Sequence, residues 1–135
     1  MVARPTRLSI AIAIALSWSS SVQAQQEDRW SVQTLLPACE SLLQRMSGKR
    51  AGTSTFDEGL CLGIVVAAMQ YGSTWFPENK KLCFQQNVSP GQAVADVVFS
   101  LKMRALQPDR AEVLRMSFTI AAASALFATY GCQRN

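Results

Sequence analysis

Cys39, Cys61, Cys83 and Cys132 are the only cysteines in the 135-residue chain. Few features constrain a short chain more. An even number of cysteines in a small exported protein implies a framework of two disulfides. Export is the expectation from the first residues. Arg4 and Arg7 give a positive start, Leu8 to Leu16 is apolar, and Val22-Gln23-Ala24 has the small or compact residues that a signal peptidase reads. The apolar run is short for a membrane span. Residues 1–24 therefore read as a signal peptide cleaved after Ala24, leaving one helical domain over residues 25–135. A zinc site is the competing use of four cysteines. It is disfavoured, because the chain has no C-x-x-C pair and no histidine.

The leader also alters the charge argument. The full chain has 13 Lys+Arg against 9 Asp+Glu. Two of the basic residues are Arg4 and Arg7, so the mature part carries 11 against 9, a balance of +2. That is too little to imply nucleic acid or an acidic membrane surface as a partner.

The rest reads as about four helices. Thr55 to about Gly72 is apolar almost all the way round, which predicts a central, buried helix. Thr55 and Glu58 have capping-box spacing. Gly63 is expected to admit a close backbone neighbour, and Gly72 to stop the helix in a left-handed conformation. Before it, Trp30 to Met46 has apolar residues at Val32, Leu35, Leu36, Cys39, Leu42, Leu43 and Met46, spaced for one helical face. Pro37 predicts either a kink or a later start. Ser47 to Ser54 reads as a flexible basic loop.

After the central helix, residues 73–88 show neither helical nor strand period, and Pro77, Asn79 and Asn87 mark turns. Ser89, Pro90 and Gln92 open a third helix with a stripe of Val94, Val97, Val98, Leu101 and Ala105. Pro108-Asp109 starts a fourth, running to about Tyr130 with many inward alanines. Gly131 ends it beside Cys132. No strand is expected.

This order of helices selects a cysteine pairing. Cys61 lies at the start of the central helix and Cys83 beyond its far end, about 20 Å away at 1.5 Å per residue. Antiparallel neighbours bring Cys39 to Cys61, and the end of the fourth helix to the start of the third. The expected disulfides are Cys39–Cys61 and Cys83–Cys132.

Catalytic machinery is not legible. Without histidine neither a Ser-His-Asp nor a Cys-His site can be built. Asp57 and Glu58 read as a helix N-terminal pair rather than an acid/base couple, and Asp96 as a solvated carboxylate. Neither a phosphate loop nor a metal-ligand cluster appears, so no cofactor is expected. Trp75 and Phe76, bulky residues in a predicted loop, either fold back on the core or belong to a binding surface. Lys49-Arg50 and Lys80-Lys81 are solvated loop charge or a rim that steers an acidic partner. The residues alone point to a non-enzymatic binding or structural module.

A family likeness sharpens that. Cys61-Leu62-Gly63 opens the central helix. Leu82-Cys83 follows, then Val88-Ser89-Pro90-Gly91-Gln92, the valine-rich helix, Leu106-Gln107-Pro108-Asp109, the alanine-rich helix and the terminal Cys132. This order and spacing resembles the Rap/Tai family of type VI secretion amidase immunity proteins. The resemblance spans about Cys39 to Cys132. Departures fall at Ile64, Gln85 and Gly131, where family members commonly have an aromatic, a proline and a proline.

The resemblance implies a small periplasmic helical protein that binds and sterically blocks a secreted peptidoglycan amidase, with homodimerisation a further implication. On that reading the partner-binding surface is Ser73 to Lys81, with Trp75 and Phe76 as anchors and Glu78, Lys80 and Lys81 at the rim. The alternative is an exported structural or chaperone-like helical protein with no toxin partner.

Overall fold

The computed structural model describes residues 29–50, 52–75, 80–84 and 87–133. The leader assigned to residues 1–24, and Phe76, Pro77, Glu78 and Asn79, lie outside the described residues. What is described is a disulfide-stapled all-α bundle with a short strand pair at one edge.

Helix α1, Val32–Met46, starts where the Ser31 hydroxyl accepts a hydrogen bond from the Thr34 amide. It runs on through Pro37, so the helix does not start there. Proline removes the bond to the Gln33 carbonyl. Gln33 and Pro37 are both exposed, so water can solvate that carbonyl. Val32, Leu35, Leu36, Ala38, Cys39 and Ser41 are buried. Met46 departs from the expected apolar face and is 60% exposed.

Helix α2, Thr55–Tyr71, begins one residue earlier than the capping-box reading implies. The cap is Ser54, whose hydroxyl accepts from the Asp57 amide at 3.2 Å and donates to the Asp57 carboxylate at 2.6 Å. Asp57 satisfies the helix start, and Glu58 is freed for another task. The helix is central in its contacts but is not enclosed. Glu58, Cys61, Val65 and Ala68 are buried, whereas Phe56 and Tyr71 are well exposed. A Cβ added at Gly63 would meet nothing within 4 Å, so that glycine does not mark a close approach.

Gly72 corrects a second glycine expectation. Its φ of −57° and ψ of −31° are right-handed, and the chain continues into a 3-10 turn, Gly72–Thr74. What glycine gives here is room for a neighbour: a Cβ would lie 2.8 Å from the Leu82 Cδ1 atom, and the Leu82 side chain would have to shift. Leu82 belongs to strand β1, Lys80–Leu82, which pairs antiparallel with β2, Gly131–Gln133. The sequence showed no strand because three residues are too few to display a period of two.

Helix α3, Pro90–Arg104, forms as expected. Ser89 Oγ accepts from the Gln92 amide at 3.1 Å, Pro90 occupies the first turn, and Ala93, Val94, Val97, Val98 and Leu101 are buried. Asn87, just before it, has a φ of 92°, consistent with a turn.

The predicted fourth helix is two: α4, Arg110–Arg115, and α5, Phe118–Tyr130. The break comes from the chain before α1. The Val32 amide donates to the Met116 carbonyl at 2.9 Å, and the Phe118 amide to the Trp30 carbonyl at 2.7 Å. This pairing holds Met116 extended, at ψ 146°.

The core lies where α1, α2, α3 and α5 meet. Leu35, Val65, Val94, Val97, Leu101, Phe118 and Leu126 are fully buried, and Ala121, Ala122 and Ala125 let α5 approach its neighbours closely. Cys39 is bonded to Cys61 with Cα atoms 5.5 Å apart, and Cys83 to Cys132 at 5.8 Å, the pairing that antiparallel packing predicts. The first bridge is sealed in the core. The second closes the strand pair onto the end of α5. No helix among the described residues is long and apolar enough to cross a membrane.

Candidate functional site

The surface predicted around Trp75 is built on the end of α2. The 3-10 turn redirects the chain, and the Trp75 amide closes it by donating to the Gly72 carbonyl at 3.1 Å. Strand β1 holds the turn from the other side. The Leu82 amide donates to Ser73 Oγ at 2.8 Å, and the Leu82 side chain fills the space above Gly72. Trp75 does not fold back into the core: it is 48% exposed. Tyr71, the last residue of α2 before the 3-10 turn, is 59% exposed. Tyr71 was not singled out in the sequence, where it reads as one more apolar position of α2.

Of the predicted rim, Lys80 and Lys81 fall in β1, and Lys81 is exposed. Phe76 and Glu78 lie outside the described residues. Lys81 thus lies in the strand that packs against the turn leading to Trp75.

A polar cluster lies at the other end of α2. Glu58 is 3% exposed. Its carboxylate accepts from Ser41 Oγ at 2.7 Å, Arg45 Nε at 2.7 Å, Arg45 Nη2 at 3.1 Å and Thr53 Oγ1 at 3.3 Å. The Thr53 amide adds a bond to Ser41 Oγ at 3.1 Å. The Arg45 guanidinium above all, and then the Ser41 hydroxyl, hold the Glu58 carboxyl below its ordinary pKa, against the opposing effect of burial. This carboxylate is structural. It ties α1, the basic loop and α2 together beside the buried disulfide, with three donors on Oε1 and the Arg45 Nε on Oε2. Among the described residues, the groups bonded to Glu58 are the Arg45 guanidinium and the Ser41 and Thr53 hydroxyls.

Asp96 also departs from expectation, since it is not simply solvated. It accepts a hydrogen bond from the Tyr130 hydroxyl and another from Gln92 Nε2 at 3.2 Å. Burial first, and then Asp96, push the Tyr130 phenol up to about 12. Phe84 packs on the Tyr130 ring with centroids 4.9 Å apart. Two open grooves flank this pair. One, of about 500 Å³, is lined by Asp96, Phe99, Ser100, Met103, Arg104 and Thr129. The other, of about 360 Å³, opens on Cys83, Val88, Tyr130 and Cys132. Among the described residues no cluster of three or more Cys, Asp or Glu could hold a metal ion, and every buried side-chain N or O atom has a hydrogen-bond partner.

Comparison with family models, with curated proteins and with solved structures found no match.

Proposed function

We propose that this chain is a periplasmic immunity protein that binds and sterically inhibits a type VI secreted peptidoglycan amidase. The observation that carries the reading is the anchored aromatic turn. Tyr71 and Trp75 stand out from the end of α2 on a backbone fixed by Ser73, Leu82 and the β1–β2 pair. Exposed aromatics on a rigid support lose little conformational freedom on binding, which is what interface anchors need. The order of motifs from Cys61 to Cys132 supplies the partner class through its likeness to the Rap/Tai family. Inhibition on this reading is by occlusion. The turn enters the enzyme's groove and substrate is excluded, with Lys81 at the rim and no chemistry contributed by this chain.

Two disulfides fit export, since such bridges persist in oxidising compartments. The test is capture of partners on mature, oxidised protein from periplasmic extract of source cells carrying their own secreted effectors. The expected result is a peptidoglycan amidase whose activity falls as this protein is added. Capture of no amidase, or of one whose activity is unaffected, overturns the reading.

A second reading, an exported structural or chaperone-like protein, draws on a different observation. Phe99, Met103 and Leu106 are 68%, 47% and 78% exposed, with Phe99 and Met103 one turn apart on α3. An apolar stripe of this kind suits loose contact with many chains.

A further inference from the structure

The two disulfides are chemically unequal. Cys39 and Cys61 are each 0% exposed and sit within the core cluster. Cys83 is exposed and Cys132 half-buried, and the groove of about 360 Å³ opens directly on both. Thiol–disulfide exchange needs a thiolate to reach a sulfur atom along the S–S axis, so access decides which bridge can react. What each bridge holds also differs. Cys39–Cys61 joins α1 to α2 inside the bundle. Cys83–Cys132 joins the residue after β1 to the middle of β2. That pair of strands is short: its register is Lys80 to Gln133, Lys81 to Cys132 and Leu82 to Gly131. One further bond, from the Cys83 amide to the Tyr130 carbonyl at 2.8 Å, continues it onto α5. An isolated two-stranded pair is marginal in water, so a covalent link across it carries much of its stability.

We propose that Cys83–Cys132 is an exchange site for dithiol reductants of the thioredoxin-like chemical class, and that its reduction opens the β1–β2 clasp while the four-helix core stays folded. The inference does not depend on the amidase reading. A thiolate of the dithiol attacks one sulfur of the bridge and forms a mixed disulfide, releasing the other cysteine as a thiolate. The second thiol of the dithiol then attacks the mixed disulfide. The reductant leaves as its own disulfide, and Cys83 and Cys132 take up two electrons and, at neutral pH, two protons. The groove beside Val88 and Tyr130 supplies the approach. Once the bridge is open, Leu82 is held by the Ser73 hydroxyl bond, by its packing over Gly72 and against the edge of the core, and by three residues of ladder, with no covalent link left across the strands. Buried Cys39–Cys61 exchanges only when the core unfolds.

The experiment treats native mature protein with limiting dithiothreitol, blocks new thiols with iodoacetamide and maps them by mass spectrometry. Far-UV circular dichroism and amide hydrogen exchange are followed alongside. Cys83 and Cys132 are expected to be labelled at least about a hundredfold faster than Cys39 and Cys61, because the latter wait on unfolding. Helical signal should be retained, with faster exchange at the Leu82 and Cys83 amides. Labelling of all four cysteines together, or of Cys39 and Cys61 first, overturns the proposal. So does the absence of labelling until denaturant is added. A Cys83→Ala/Cys132→Ala variant provides the second measurement. It should fold to the same helical content with Cys39–Cys61 formed, and an unfolded variant would refute the claim that the core stands without the clasp.

Discussion

Arg45 lies across α1 from the core and places its Nε 2.7 Å from Oε2 of Glu58, an ion pair in which the carboxylate is 4% exposed and the guanidinium 49%. The asymmetry sets the outcome of breaking it. Arg45 can rehydrate if its partner is lost, whereas Ser41 and Thr53 would lose their acceptor in a closed site. Glu58→Gln keeps an oxygen for Ser41 and Thr53 but removes the charge and turns an NH2 donor toward the Arg45 Nε, so it is expected to lower the thermal midpoint by several degrees. Arg45→Ala is expected to do so as well, since it leaves the buried carboxylate without its counter-charge. The pH dependence has a definite sign. Because the folded-state pKa of Glu58 is below the ordinary 4.5, its stabilisation is present above that value and is lost as pH falls through the lower, folded value. Thermal melts between neutral and strongly acidic pH should show the wild type losing stability over that acid window more than Glu58→Gln does. Parallel curves would refute the linkage.

The start of α2 separates two readings of the same sequence. Ser54 caps the helix through the Asp57 amide, while Thr55 is its first residue. Ser54→Ala should cost about 1 kcal/mol. Thr55→Ala, at an exposed helical position, should stay within about 0.5 kcal/mol. Urea denaturation of the two variants decides it. A larger loss at Thr55 would return the cap to the later residue.

That one-residue shift illustrates what the sequence could and could not disclose. Helix spans, the stripe of α3 and the disulfide pairing were legible, because hydrophobic period and antiparallel geometry are local or nearly so. Glu58 was misread because two overlapping capping boxes, Ser54/Asp57 and Thr55/Glu58, are both possible. Only the arrival of Ser41 and Arg45 from another helix gives Glu58 its role. Gly72 was read as a backbone switch, but its reason is the distant Leu82 side chain. The break at Met116 is likewise set by residues some 85 positions earlier in the chain, Trp30 and Val32. Trp75 was singled out from its bulk in a loop, and it is half exposed rather than folded into the core. The exposure of Tyr71 was not legible, because an aromatic at the end of an apolar helix reads as core.

The anchored turn yields a binding prediction that rests on the proposed immunity role. If an amidase is captured, Trp75→Ala and Tyr71→Ala should each weaken its binding by about thirtyfold, the effect of losing roughly 2 kcal/mol at a hot-spot aromatic. Both residues are about half exposed in the free protein, so folding stability should change little. Titration calorimetry against the captured enzyme, alongside melts of each variant, makes the check. Unchanged affinity in folded variants would place the interface elsewhere. Lys81→Glu should act more mildly and chiefly through the association rate, since rim charges steer encounter.

The Tyr130–Asp96 bond links the end of α5 to α3 and can be read spectroscopically. In a Tyr71→Phe background Tyr130 is the remaining tyrosine of the chain. Its phenolate absorbance should rise with a midpoint of about 12, above the ordinary 10.0. Burial is the largest cause, followed by the hydrogen bond to Asp96 and then its charge. Asp96→Asn should therefore lower the midpoint only part of the way, because the ring stays packed on Phe84. The stability sign follows from the same shift. A phenol whose folded pKa is raised contributes stability that is complete below 10 and disappears as pH climbs through 12. The wild type should thus become easier to denature across that alkaline window, and Tyr130→Phe should lack that component of the loss. A midpoint near 10 in the wild type would mean that the hydroxyl is open to solvent, and that the α3–α5 contact is held by Val97, Leu101 and the alanines of α5 alone.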